Sequence, residues 1–217
     1  MGTIEKISLD LSSKLGMKLD KSNEEIAVLN YGLFMIIHTV IGILATIVAG
    51  ILTGMIIEVM VISMTSAFLK RYTGGVHAST PERCLTIGII LSLILAFIVK
   101  NVIMELDIEI IRILTGVILI FSYFILYKLC PVASKNKPLK KESIRKKLRK
   151  KAFILISIYT CIIVILYLLY INLNINILKT ILISCLLGIQ LQAIMLTNIG
   201  EKFIKLLDSS LNALKFN

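Results

Sequence analysis

From Ile26 onward the chain is built of long apolar runs separated by short polar breaks. Ile26 to Leu69 is a 44-residue run with Glu58 as its one acid and no Lys or Arg. A helix needs about 20 apolar residues to cross a bilayer, so this run predicts two crossings. Their turn is expected in the Gly50 to Gly54 region. A third span is predicted from about Cys84 to Val99 and a fourth from about Ile108 to Tyr127, with Asn101, Glu105 and Asp107 between them. A fifth runs from about Ala152 to Ile171 and a sixth from about Ile177 to Ile199, parted by Asn172, Asn174 and Asn176.

The two ends of the chain have a different pattern. Ile4, Ile7, Leu11, Leu15 and Leu19 recur at steps of three and four, and so do Phe203, Ile204, Leu207, Leu211 and Leu214. Such stripes predict amphipathic helices lying on a membrane surface. The expected fold is therefore all-α: a polytopic membrane helix bundle of six transmembrane helices with an amphipathic interfacial helix at each end. We read residues 1–217 as one integral-membrane domain, with an interfacial segment at 1–25, polar loops at 70–84 and 128–151, and a second interfacial segment at 200–217. The segment 1–25 is too polar to read as a cleavable signal peptide.

Composition agrees with this pattern. Of 217 residues, 57% are hydrophobic and only 17% charged, with a mean hydropathy of +0.92. Soluble domains carry roughly a quarter charged residues, so an ordinary cytosolic enzyme, a disordered tail and a disulfide-stapled module are excluded. The net charge of +11 combined with this hydropathy argues for a basic membrane face rather than a nucleic-acid partner. In the six-span arrangement, 21 of the 24 Lys and Arg residues fall on the side holding both termini. Lys100, Arg112 and Lys179 are left on the other. That bias predicts cytoplasmic termini.

The loop from Lys70 to Cys84 carries the candidate chemistry. It holds His77, one of two histidines, and Cys84, the one cysteine of four that adjoins a polar loop and opens a span. Cys130, Cys161 and Cys185 lie in or beside apolar runs without CxxC spacing, so neither a metal or cofactor site nor a disulfide framework is expected. Thr80 or Ser79 can cap the following helix, Pro81 suits its first turn, and Ser79 with Glu82 matches a capping box. Cys84 then occupies a first helical turn, where free N–H groups and the dipole favour a thiolate. Gly74 and Gly75 let the chain bring His77 back as a base. By spacing alone, an interfacial histidine and a small core thiol remain the alternative.

The run Arg71-x-x-Gly74-Gly75-x-His77-Ala78, followed by Pro81 and Cys84, resembles the signature of the accessory gene regulator protein B (AgrB) family. The run from Pro131 to Pro138 resembles that family's loop after the fourth span, and the likeness covers essentially the whole chain. The family comprises bacterial membrane cysteine endopeptidases that process quorum-sensing propeptides. The resemblance implies Cys84 as nucleophile, His77 as its base, and supporting roles for Arg71 and Gly75. It implies an AgrD-like propeptide with an acidic tail as partner, cleavage through a thioester, cyclisation to a thiolactone, and a place in the bacterial cytoplasmic membrane. A non-enzymatic scaffold or peptide exporter is the alternative function.

Other positions have two readings each. The basic stretch from Lys135 to Lys151, with Lys140, Lys141, Arg145, Lys146 and Lys147, attracts anionic inner-leaflet lipid at roughly 1 kcal/mol per residue. It could equally receive the acidic peptide. His38 is expected as a neutral imidazole bonded to a neighbouring helix, ahead of a catalytic or metal role. Glu58 either pairs with Arg112 or sits near the far surface. Gln190 and Gln192 either bond across helices or line a substrate groove. A two-fold homodimer is the default symmetric assembly, with no residue specifying it.

Overall fold

The computed structural model describes residues 3–133 and 141–213. Among them are eight α-helices and no strand, as the all-α membrane-bundle reading requires. The chain divides into two compact units, residues 1–48 and 49–217, with the division falling inside one long helix.

The first unit holds α1 (Thr3–Lys18) and the start of α2 (Asn23–Thr53). A capping box starts α2: the Glu25 N–H donates to Ser22 Oγ at 3.3 Å, and the Ser22 N–H donates to the Glu25 carboxylate at 3.0 Å. On α1 the apolar stripe Ile7, Leu11 and Leu15 is exposed, whereas Ser8, Ser12 and Gly16 are buried. This is the face distribution of a helix that offers its apolar side to lipid. His38 stacks on Phe34 one turn earlier, with ring centroids 5.7 Å apart. Its buried Nδ1 has no hydrogen-bond partner among the described residues.

The second unit contains the end of α2 and α3 (Ile56–Thr73), α4 (Pro81–Asn101), α5 (Ile108–Leu129), α6 (Glu142–Leu173), α7 (Asn176–Met195) and α8 (Asn198–Ala213). Among the described residues, five helices (α2, α4, α5, α6 and α7) are long and apolar enough to cross a membrane. The remaining expected span, the second along the chain, is α3. It has 18 residues, about 27 Å at 1.5 Å per residue, and carries Glu58 in its first turn and Lys70 and Arg71 in its last. These end charges leave α3 without an uninterrupted apolar stretch of the length found in the other five helices.

Polar side chains tie the turns at one end of this unit. Lys100 donates to the Gly54 carbonyl at 2.9 Å. The buried Lys179 donates to the carbonyls of Met104, within a 3-10 turn at Ile103–Glu105, and of Leu106 just after it. Arg112 pairs with Glu109 at 2.6 Å rather than with Glu58. The opposite end gathers the α3–α4 loop, the chain after α5 and the α7–α8 turn.

Two predicted boundaries move. The basic stretch is helical from Glu142, ten residues before the expected span. Lys, Arg and Leu are good helix formers, and Glu142 pairs with Lys146 one turn on. The sixth span stops at Met195, because Thr197 caps a new helix by accepting from the Gly200 N–H at 3.2 Å. Ile199 therefore belongs to α8. Lys140 and the segment Ser134 to Pro138 lie outside the described residues, as do Leu214 and Lys215.

Helix α7 is the centre of the unit, packing against α3, α4, α5, α6 and α8. Its buried residues lie all round its circumference, from Leu182 and Ile183 to Ile189 and Ala193. At Gly188 it approaches α3 so closely that a Cβ would stand 2.8 Å from Thr65 Cβ and 2.9 Å from the Ile62 carbonyl. Gly188→Val should therefore lower the thermal midpoint in detergent, by an amount matching the roughly 1–3 kcal/mol typical of overpacking. Gly116→Ala on α5, where a Cβ meets nothing within 4 Å, is the control and should leave the midpoint unchanged or raise it. Equal midpoints for both variants would remove the close-packing argument.

Candidate active site

The site forms where α3 ends and α4 begins. Gly74 terminates α3 with φ +70°, and Gly75 follows at φ +123°; both are conformations that side-chain-bearing residues avoid. A Cβ on Gly74 would overlap the Val132 carbonyl. Gly74 and Val132 form an isolated parallel bridge, and the Val132 N–H donates to the Thr73 carbonyl at 2.8 Å. The two motifs noted in the sequence, 58 positions apart from Gly74 to Val132, therefore touch. From α7, Gln192, almost completely buried, donates to Thr73 Oγ1 at 2.8 Å and to the Gly74 carbonyl at 2.9 Å. Of the two readings of Gln192, cross-helix bonding is the one realised, and its target is this loop. Gln190 accepts from Ser122 at 3.2 Å.

Beyond the glycines, Thr80 is the N-cap of α4. Its Oγ1 accepts the Arg83 N–H at 3.3 Å, and Pro81 opens the helix. The expected Ser79–Glu82 capping box is not formed. Ser79 turns instead to Asp208 on α8, donating its N–H and its hydroxyl at 3.0 Å each. One oxygen of Glu82 is buried without a hydrogen-bond partner among the described residues.

This geometry brings together Cys84, His77 and Lys70. Cys84 is half-buried in the first turn of α4, directly after the charged Glu82 and Arg83 and ahead of the apolar run that begins at Leu85. His77, exposed to solvent, hydrogen-bonds to the Cys84 thiol. Lys70, in the last turn of α3, donates to Cys84 Sγ at 3.6 Å. Burial, the largest influence, pushes the thiol up. The His77 bond, the Lys70 charge and the Ala78 N–H outweigh it and bring the thiol from its ordinary 9.0 down to about 7. Cys130 shows the contrast: burial pushes its thiol up to about 11 despite the charge of Arg149. Lys70 was missed in the sequence. Its spacing of 14 residues from Cys84 signals nothing until the glycines turn the chain back.

The remaining predicted residues do not join this cluster. Gly75 is buried, and a Cβ there would stand 3.5 Å from Gln192 and Leu196, so it lines the packing of the loop on α7. Arg71 faces a separate cavity of about 240 Å³, lined also by Tyr72, Ile144, Lys147, Leu148 and Lys151. Lys151 stands over the Tyr72 ring at 5.8 Å from its centroid. Among the described residues of the predicted basic set, Lys147 lines this cavity, whereas Arg145 and Lys146, on the first turns of α6, and Lys141, its N-cap, are exposed and do not line it. Among the described residues, no group of three or more His, Cys, Asp or Glu could hold a metal ion.

Fold and site together define a multi-span helical membrane protein with an activated thiol beside a histidine at one end of its bundle. The family model for accessory gene regulator B matches residues 4–196, and the chain belongs to that family. It is 34% identical over 212 residues to an AgrB-like protein of Clostridium perfringens (strain SM101 / Type A), covering 97% of this chain and 99% of the relative. A second AgrB-like protein, from Clostridium perfringens (strain 13 / Type A), is 32% identical over the same proportions. No solved structure matches the chain.

Iodoacetamide alkylation should report the site without any substrate. The thiolate is the reactive form, so modification of Cys84 should reach half its maximal rate near pH 7. Cys130 should stay unmodified through neutral pH. Lys70→Met and His77→Ala each remove a group that stabilises the thiolate, so each should move the midpoint upward, toward 9.0. An unchanged midpoint in both variants would show that neither neighbour activates the thiol.

Proposed function

We propose that this protein is a membrane cysteine endopeptidase that removes the C-terminal tail of a quorum-sensing propeptide and cyclises the product. Family membership implies a part in accessory gene regulator peptide processing, and the placement of the Cys84 thiol at the start of α4, between His77 and the Lys70 ammonium 3.6 Å away, is the observation that carries the specific chemistry. Cys84 Sγ attacks the scissile carbonyl, and the C–N bond breaks as His77 gives the leaving amine its proton. The tail departs, and the N-terminal part stays as a thioester on Cys84. An internal cysteine of the peptide, losing its thiol proton to His77, then attacks that carbonyl. The new C–S bond closes a thiolactone ring, and the Cys84 thiolate is released beside the protonated histidine. One thioester replaces another, so the exchange is close to balanced and succeeds only while water is excluded. His77 is exposed, which assigns that exclusion to the bound peptide.

The protein is proposed to work in the bacterial cytoplasmic membrane with both termini inside, as the distribution of basic residues supports. The cavity between α3 and α6 is the proposed receiver of the acidic tail. It places Arg71, Lys147 and Lys151 around a single concavity, and the exposed basic residues nearby steer the peptide toward it.

Cys84→Ala should abolish tail release with membrane insertion intact, and His77→Ala should slow it by about 10²–10⁴-fold, the range for a lost general base. A scaffold or exporter would leave peptide maturation unaffected by either change, and mass spectrometry of the peptide product separates the outcomes.

Replacing Lys147 and Lys151 together with Gln should raise KM and flatten its dependence on salt, because screening weakens exposed charge attraction over about 10 Å at 0.1 M. The turnover of bound peptide should change little, since neither residue contacts Cys84. Protease accessibility of the loops must first show that the variant inserts normally. A correctly inserted variant with the original KM and salt slope would restrict the basic cluster to lipid and orientation.

A further inference from the structure

Helix α8 lies beyond residues 4–196, the part matched by the family model, yet it makes the densest set of polar contacts to the Cys84 loop. The Asp208 carboxylate accepts the Ser79 N–H and the Ser79 hydroxyl at 3.0 Å each. It also pairs with Arg83 at 3.5 Å, and the two side chains keep only 17% and 18% of their exposure. Arg83 donates further to Ser79 Oγ at 3.0 Å and to Asn212 Oδ1 at 2.6 Å. Ser79 follows His77 by two residues, and Arg83 immediately precedes Cys84. The ionic cluster therefore grips the segment between the two reacting residues near each of its ends. Ile204, Leu207 and Leu211 of α8 add apolar contact in a cluster with Val76, Ala78, Ile87 and Leu91.

The start of α4 does not need these bonds. Thr80 caps it and Pro81 opens it independently of α8. What the cluster fixes is the path from His77 to Cys84, and charge-assisted bonds in a half-dry setting are strong enough to hold it. We propose that Asp208 is a positioning residue of the peptidase site, clamping Ser79 and Arg83 so that α8 sets the geometry of His77 against Cys84. The proposal rests on the reading of Cys84 and His77 as the catalytic pair.

The direction of one shift distinguishes positioning from simple charge. The charged groups around Cys84 are Lys70 from α3, His77 from the loop, Glu82 and Arg83 on its own helix, and Asp208 reached through Arg83. Deleting the negative charge of Asp208 by itself favours a thiolate and would lower the alkylation midpoint of Cys84. Loosening His77 and Lys70 raises it. Full-length protein in proteoliposomes is titrated with iodoacetamide for wild type, Asp208→Ala, Asp208→Asn and Asp208→Glu. The same samples are assayed for tail release from a synthetic propeptide with an amphipathic leader and an acidic tail, with Cys84→Ala in parallel. Asp208→Ala should raise the midpoint and lower kcat by about 10–10²-fold, as small misplacements of reacting groups do, with KM little changed. Asp208→Glu should recover part of both. If Asp208→Ala folds poorly, Asp208→Asn, which keeps an acceptor for Ser79 but loses the ion pair, should show the same upward shift in smaller measure. A midpoint that stays or falls in every Asp208 variant, with kcat within twofold of wild type, overturns the clamp. Tail release by Cys84→Ala would overturn the catalytic reading itself, while the alkylation titration would still report whether Asp208 holds the loop.

Discussion

The close approach of α7 to α3 is the constraint on which the site depends. Lipid gives helices little hydrophobic reason to associate, so packing of small residues and interhelical hydrogen bonds must supply the attraction. Gly188 supplies the closeness, and Gln192, one turn further, uses it to reach Thr73 and Gly74. With the end of α3 fixed in this way, Gly74 can meet Val132 without a side chain intervening, and Lys70 is left one turn back, beside Cys84. Widening the α3–α7 contact would disturb the loop, the chain after α5 and the thiol together.

The site itself is an electrostatic arrangement in a partly dry place. Burial opposes the thiolate, and a cation and a histidine from two different segments overcome it. The nearest carboxylate in sequence, Glu82, does not join that arrangement, and Asp208 is occupied by Ser79 and Arg83. The large positive surplus of the chain is therefore distributed between distinct places. One cation acts on sulfur, another closes the far-end turns through Lys179, and a group lines the cavity beside Tyr72.

Much of the fold was legible because apolar runs of span length have few alternatives in a chain this hydrophobic. The Gly50–Gly54 turn was readable, as was the helix start near Thr80, since both follow local chemistry. The errors lie where local rules competed with tertiary contacts. Ser79 and Glu82 satisfy the pattern of a capping box, but Asp208 on a distant helix offers Ser79 a charged acceptor, and the real box forms at Ser22 and Glu25. The start of α6 was hidden because a run of basic residues reads equally as loop or as helix. His77 and Cys84 could be paired from motif and spacing. Lys70 and Gln192 could not, since only the folded path of the glycines and the packing of α7 bring them to the loop.

One consequence concerns how freely different positions can vary. Lipid-facing residues such as Leu52 and Ile120 are 81% and 74% exposed in the bundle, and any apolar side chain of similar length serves there. Gln192 is in the opposite position. Its amide gives hydrogen to two oxygens at once, so a glutamate of the same shape would set oxygen against oxygen, and a methionine would leave both acceptors unmet. A lysine could donate, but would bring a charge into a buried place. The tolerated alphabet at this position shrinks almost to a single letter, although the residue lies outside both recognisable motifs and touches no reacting atom.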